Sequence, residues 1–195
     1  EIEPGDWSSD VCSSDLRFYS TMHALLKFHS DTVSNLRERK CTVAISLDIE
    51  KAFDSAWHKG IIFKLVQLNV DPYLIKMFLS FFSERKFSVQ IKDSKSIFGN
   101  VESGVPQGSV LAPFLFNIFL YDFPHSTETS KAILYADDCL IYSHNESPAL
   151  ALNNAAHHLN IIDQYYKRWG IRINAAKSES ICCSCSKMAV YVMSA

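Results

Sequence analysis

The chain has 195 residues, 48% of them hydrophobic and 12% aromatic, enough for one medium domain with a real core and too little for a large multidomain machine. Its formal charge of −2 excludes the global basic surface that a self-sufficient nucleic-acid binder carries. Of its six cysteines only Cys182, Cys183 and Cys185 cluster, without a second metal-spaced pair, which argues against zinc and for reduced, intracellular thiols.

Residues 1–16 repeat Ser-Ser-Asp without apolar periodicity and read as a non-native or disordered leader, similar to a translated sequencing-adaptor scar, to be set aside from fold reasoning. From Arg17 the pattern changes. Met22, Leu25, Leu26, Phe28 and Val33 predict a helix that ends near Arg37-Glu38-Arg39-Lys40, a solvated turn. Cys41 to Asp48 is a β-rich apolar run, hence a buried strand ending in an acid, and Ile49 to Asp54 turns helical. Helical spacing resumes over Gly60 to Leu68. Asp71 and Pro72 supply an N-cap and a first-turn proline for a helix through Phe82. Phe87 to Ile91 alternates as a strand, and Ser94 to Asn100 is a turn or short hairpin. Trp57, Phe78, Phe81 and Phe82 have core spacing, with base stacking as the other use of such rings.

Gly104-Val105-Pro106-Gln107-Gly108-Ser109 imposes a fixed turn that lets a ligand approach the backbone, with Ser109 as N-cap of an apolar helix from Val110 to Tyr121. That stretch is broken by Pro113 and Asn117 and falls short of the roughly 20 residues that span a bilayer, so no membrane segment is expected. Ile133 to Tyr142 reads as a β-hairpin with Asp137 and Asp138 at its tip. Ser147 caps and Pro148 starts a helix whose Leu152, Ala156, Leu159, Ile162, Tyr166 and Trp169 recur at helical spacing until Gly170 ends it. His157 and His158 lack a carboxylate or cysteine at ligand spacing and read as structural or exposed.

Tyr135-Ala136-Asp137-Asp138 alone admits two readings. Asp is good turn chemistry, since its short side chain caps its own backbone; paired carboxylates also hold divalent ions for phosphoryl transfer. Asp48 tips the balance, because a charge at the end of a buried strand is expensive unless paired or metal-bound. An Arg partner or a metal shared with Asp137 and Asp138 would each relieve it. Three crowded carboxylates are tolerable mainly when cations neutralise them. Glu50 and Asp54 read as solvated or capping.

Four strings carry a resemblance: Ser46-Leu47-Asp48-Ile49-Glu50-Lys51-Ala52-Phe53-Asp54, the Gly104 to Ser109 turn, Tyr135 to Asp138, and Trp169 to Glu179. Their order resembles the palm motifs of reverse transcriptases. With Ser109 to Asn117 and the Ala52-Phe53-Asp54 ending, the chain is most similar to the RNA-directed DNA polymerases of non-LTR retrotransposons, from about Phe18 to Ile181. The resemblance implies an α+β polymerase palm, a ferredoxin-like antiparallel sheet from strands near Val43, the Tyr135 hairpin and Ile181, backed by the Val110 and Pro148 helices. Residues 17–181 would hold the palm with part of the fingers, and 182–195 a tail cut before the thumb.

The same resemblance implies that Asp48 and Asp137 bridge two Mg²⁺ ions, Mn²⁺ being a possible substitute, with Asp138 as a supporting ligand. Phe53 would exclude a 2′-hydroxyl, Gln107 and Gly108 would contact the nucleotide, and backbone amides between Leu47 and Phe53 would face the triphosphate. Tyr135 and Ala136 would pack beneath primer and nucleotide, and Lys177 would protonate the leaving pyrophosphate. Core packing for Phe53, Tyr135 and Ala136 and a solvated surface role for Lys177 stand beside these roles. Implied partners are an RNA template, a DNA primer and deoxynucleoside triphosphates, with further fingers, thumb and endonuclease domains of a parent polyprotein working inside the cell, in the nucleus. Such a fragment is expected to polymerise poorly alone. An intron-maturase-type polymerase, or an inactive RNA-binding or structural remnant of a mobile element, fits the same motifs.

Overall fold

A computed structural model describes residues 21–106, 108–184 and 188–192, and the backbone alone over 188–192. The leader over 1–16, Gln107 and residues 185–187 and 193–195 of the tail lie outside the described residues. The chain divides into two compact units, one made of residues 1–52 and 120–195 and the other of Phe53–Phe119.

The first unit is built on a five-stranded antiparallel sheet. Helix α1 (Thr21–Arg37) leads through a turn with Arg39 at φ +60° into strand β1 (Cys41–Leu47). Strands β6 (Ser130–Tyr135) and β7 (Asp138–Asn145) form the expected hairpin, and β8 (Glu179–Cys183) and β9 (Met188–Val192) complete the order β6-β7-β1-β8-β9. β1 lies at the centre, pairing Leu47 with Cys139 on one side and Ser46 with Glu179 on the other. Its near-continuous apolar run is what a strand covered on both faces requires.

Helix α6 (Pro148–Trp169) covers one face, packing on β7 and β1, and α1 packs on β1 and β6. Side chains alternate along a strand, so Cys139, Ile141 and Ser143 share α6's face, while Tyr142 presents its ring edge-on to Phe28 of α1, centroids 5.2 Å apart. Tyr142 Oη and Lys131 Nζ each donate to Asp31 Oδ2 at 3.0 Å. Burial works to raise the Asp31 carboxyl, but these two donors outweigh it and hold it below the usual carboxylate range.

α6 is turned about one residue from the expected face. Ala151, Ala155, His158, Ile162, Tyr165 and Tyr166 are buried, whereas Leu152 is 50% exposed. Alanines at the interface let the helix approach the sheet closely, which a stripe chosen by side-chain size does not anticipate. Ser147 stands at the N-cap without a side-chain cap bond; its own N–H is held by Asn145 Oδ1 at 3.1 Å. Gly170 ends the helix as expected, at φ +71°, with its N–H and that of Ile171 returned to Lys167 and Tyr166 carbonyls.

The second unit packs α3 (His58–Gln67) on α4 (Pro72–Phe82) and on α5 (Leu111–Phe119), after a one-turn α2 (Ala52–Ser55). Asp71 caps α4, accepting the Tyr73 N–H at 2.7 Å, and Phe78 and Phe82 are core residues. α5 is shorter than Val110 to Tyr121, and the Ser109 hydroxyl is buried without a partner, so it is the Ser109 carbonyl, accepting from Ala112, that starts the turn. Of the two helices expected behind the sheet, α5 thus belongs to this second unit and α6 to the first.

The strand expected over Phe87 to Ile91 is two pieces. β2 (Lys86–Phe87) pairs with β5 (Gly99–Asn100), and β3 (Gln90–Ile91) with β4 (Ser94–Lys95) across a Lys92-Asp93 turn with Lys92 at φ +52°. Between them Val89 exchanges hydrogen bonds with the backbone and hydroxyl of Ser96, both at 2.9 Å, which breaks the ladder. Among the described residues no helix is long and apolar enough to cross a membrane.

His158 is structural. It is fully buried, its Nε2 donating to the Pro124 carbonyl and its Nδ1 accepting from Ser130 Oγ, both at 2.8 Å. Burial pushes His158 below its ordinary value, and burial does the same to His58 and His144. In the unfolded chain these imidazoles titrate near the ordinary pKa of about 6.5. As pH falls through that value the unfolded state takes up protons that the native state resists, so stability is full above it and is lost below. The thermal midpoint is therefore expected to fall between pH 7.5 and pH 5.5 when followed by circular dichroism; a rise would contradict the assignment of these three rings as neutral.

Candidate active site

Three of the sequence-predicted acids meet at one end of the five-stranded sheet. The β1–β7 ladder ends at Leu47 opposite Cys139, and the next residues along it are Asp48 and Asp138. Were the ladder continued, their Cα atoms would lie roughly 5 Å apart. Tyr135 opposite Asp138 closes the hairpin, leaving Ala136 and Asp137 as its two turn residues. Ala136 takes φ +53°, a conformation that costs a residue with a Cβ about 1 kcal/mol or more. Asp137 is exposed, Asp48 half-buried, and Tyr135 and Ala136 half-buried at the base of the turn.

Asp138 records the crowding. Although the residue is exposed, desolvation of its carboxyl, then the charges of Asp137 and of Asp48, hold that group above the usual range. Next in the strand, burial pushes the Cys139 thiol up to about 12, the Tyr166 hydroxyl partly opposing and Asp138 adding to the rise, so Cys139 is a neutral core thiol and no thiolate ligand. Among the described residues no group of three or more His, Cys, Asp or Glu side chains is drawn together closely enough to hold a metal ion, and this covers Cys182 and Cys183 as well. The three aspartates thus share a sheet end without forming a closed cage.

What fixes Asp48 is a strap from the segment after α6. Asp48 N–H donates to Ser178 Oγ at 3.3 Å and its carbonyl accepts from Asn174 N–H at 2.8 Å, while Glu50 N–H donates to the Arg172 carbonyl at 2.9 Å. Ser178 is fully buried and donates its hydroxyl to the Asn174 carbonyl at 2.9 Å. Of the amides from Leu47 to Phe53 expected to face a triphosphate, those of Asp48 and Glu50 are committed to this strap, and α2, which follows, is a single turn. Lys177 rides on the strap, exposed, in the one-turn 3₁₀ segment Ala175–Lys177. Ser178 is the positioning residue that the sequence pattern did not single out; its only signal was its place in the fourth motif string.

Phe53 and Gly108 belong to the second unit. Phe53 is half-buried, its ring centroid 4.8 Å from that of the buried Phe116, and its carbonyl accepts from Val105 N–H at 2.9 Å. Gly108 takes φ +84°, and a Cβ there would meet nothing within 4 Å. Gln107 lies outside the described residues.

Comparisons with known proteins place these features in a wider group. Residues 10–190 match the family model described as reverse transcriptase (RNA-dependent DNA polymerase). The RNA-directed DNA polymerase from mobile element jockey of Drosophila melanogaster is 32% identical over 167 residues, 82% of this chain and 18% of that protein. The probable RNA-directed DNA polymerase from transposon BS of the same species is 32% identical over 176 residues, 84% of this chain and 19% of that protein. Telomerase from Candida albicans in complex with a TWJ fragment of telomeric RNA matches with a TM-score of 0.64 at 14% identity, covering 82% of this chain and 31% of that one. Apo telomerase from Candida tropicalis, truncated from its C-terminal domain, gives 0.60 at 14% identity over 88% of this chain and 39% of that one. At such identity the likeness concerns the fold alone, a palm-like arrangement of helices and antiparallel sheet. The chain spans about a fifth of the length of the curated relatives it matches.

A carboxyl raised by desolvation and by like charges, as that of Asp138 is, is destabilised in its ionised form. Asp138→Asn is therefore expected to raise the thermal midpoint at pH 7.5 in metal-free buffer, and the gain should shrink as pH falls and the wild-type carboxyl protonates. A midpoint lowered at every pH would show that the ionised Asp138 carboxyl is not destabilised in the fold.

Proposed function

Because the chain belongs to the reverse transcriptase (RNA-dependent DNA polymerase) family, we propose that it carries the catalytic sheet of an enzyme that copies an RNA template into DNA, with Asp48, Asp137 and Asp138 as its working acids. The observation that supports this reading is the β1–β7 register, which brings the acid after β1 beside the acid that opens β7.

The donor set suits hard divalent cations, since carboxylate oxygens are what Mg²⁺ and Mn²⁺ take, and a neighbouring cation would relieve the raised Asp138 carboxyl. Asp48 and Asp137 would hold two such ions with Asp138 in support, and ions bound there supply activation of the primer 3′-hydroxyl and neutralisation of the triphosphate. The chain's own residues do the placing. Ser178 and Asn174 fix the backbone of Asp48 so that its carboxylate need not be ordered when substrate arrives. Phe53, steadied by Phe116, fills the space of a 2′-hydroxyl and selects deoxynucleotides. Gly108 leaves its side of the turn open to a close-lying nucleotide, with Gln107 as its polar neighbour. Tyr135 and Ala136 support the nucleotide from the hairpin, and Lys177 delivers a proton to the leaving pyrophosphate. With 19 basic residues against 21 acidic ones, the chain offers a primer and template little general attraction, so it binds them weakly and extends poorly by itself.

Mg²⁺ at ten times its dissociation constant should stabilise the chain by about 1.4 kcal/mol, a rise in midpoint that Asp48→Ala removes. In single-nucleotide incorporation on a DNA primer paired with RNA, low activity should drop to background in Asp137→Asn; incorporation that survives unchanged would sink the catalytic reading and leave an RNA-binding or structural remnant of a mobile element. Phe53→Ala should raise ribonucleotide use relative to deoxynucleotide use by up to about 10²-fold, the limit of what a hydrophobic wall rejects.

A further inference from the structure

In the second unit, Arg85 carries one buried donor, Nη1, without an acceptor. Its backbone is fixed, the carbonyl accepting from Val101 N–H at 2.9 Å, and its guanidinium carbon stands 5.7 Å from the centroid of the Phe81 ring. Nη1 is shut off from solvent and has no hydrogen-bond partner. A desolvated, unpaired guanidinium N–H is costly, and the cost is recovered when the side chain turns to meet an acceptor. Arg85 also lines a cleft of about 420 Å³, together with Asp54, Val101, Ser103, Gly104, Val105 and Pro106. Gly104 lies flush against α2: at φ +93°, a Cβ on it would meet the Asp54 Cα and carbonyl oxygen at 3.3 Å. The cleft wall is therefore backbone and short side chains, preformed around one cation and one anion.

We propose that this cleft binds an unstacked guanine base. A phosphate group would satisfy Arg85 but would face the Asp54 carboxylate with no other basic side chain among the lining residues. A neutral ligand that carries acceptors on one edge and donors on another has no such conflict. Guanine offers O6 and N7 to a guanidinium fork, and its N1–H and 2-amino group to a carboxylate. A carboxylate has about four acceptor positions, so Asp54 can take these donors alongside its existing contacts. Val105 and Pro106 supply apolar contact for the ring face. Both edges of a base are open to a protein only in single-stranded nucleic acid, where bases splay out of the stack. That the base comes from the template strand rests on the polymerase reading given above; the affinity for guanine does not.

Guanosine, which has no phosphate, tests the base itself, and pyrophosphate tests the anion alternative. In equilibrium dialysis with the full 195-residue chain, guanosine should bind about tenfold or more tighter than uridine or adenosine, and pyrophosphate should not displace it. Arg85→Lys, which keeps the charge but loses the fork, should weaken guanosine about tenfold, and the exposed Asp54→Asn should erase its advantage over inosine, which lacks the 2-amino group. Circular dichroism melting of each variant separates loss of the cleft from loss of the fold. Absence of guanosine binding, displacement by pyrophosphate, or equal binding by a folded Arg85→Lys protein overturns the proposal. Asp137→Asn, whose residue lies in the other unit, should leave guanosine binding intact, so failure of the catalytic reading and failure of this one are told apart.

Discussion

The pairing of β1 with both of its neighbours is the constraint from which the rest follows. A strand whose residues 41–45 and 47 are buried can slip by one residue only by exchanging its two faces, which would drive Ser46 and Asp48 into the packing under α6. Register is thus set by hydrophobic burial across the whole length of β1, and the position of Asp48 is a by-product of that burial. The buried hydroxyl of Ser178 then locks the one residue that projects beyond the ladder.

Alternation along β7 gives the same face of the sheet two acids with opposite fates. Asp31 reaches Tyr142 and Lys131, and its charge is held by two donors. Asp138, on the Tyr142 side of the strand by parity, meets two further carboxylates instead. The protein solves the first problem with its own side chains and leaves the second open. Like charges kept together at one end of a sheet are the pattern of a site that works on something brought from outside.

Much of this was legible in the sequence because it rests on local chemistry. Asp71-Pro72 caps α4, Gly170 supplies the left-handed residue after α6, and the run from Cys41 to Leu47 announces a buried strand. Features that depend on distant partners were not. Nothing near Val89 tells that Ser96 will divide the strand in two, nor that Asn145 will hold the N–H of Ser147 just before α6. Of the site, the residue types and their order could be read, whereas the strap over 172–178 and the orphaned Arg85 donor needed the folded backbone.

The alanine-lined side of α6 has a consequence for how this protein can vary. Ala151 and Ala155 are fully buried where the helix lies against the sheet. A bulkier side chain at either position over-packs this contact, at a cost of about 1–3 kcal/mol, on the helix that covers the strand leading from the aspartates. Neutral drift in volume is therefore closed to residues that never approach the aspartates, while Leu152, one position along, is at liberty to change.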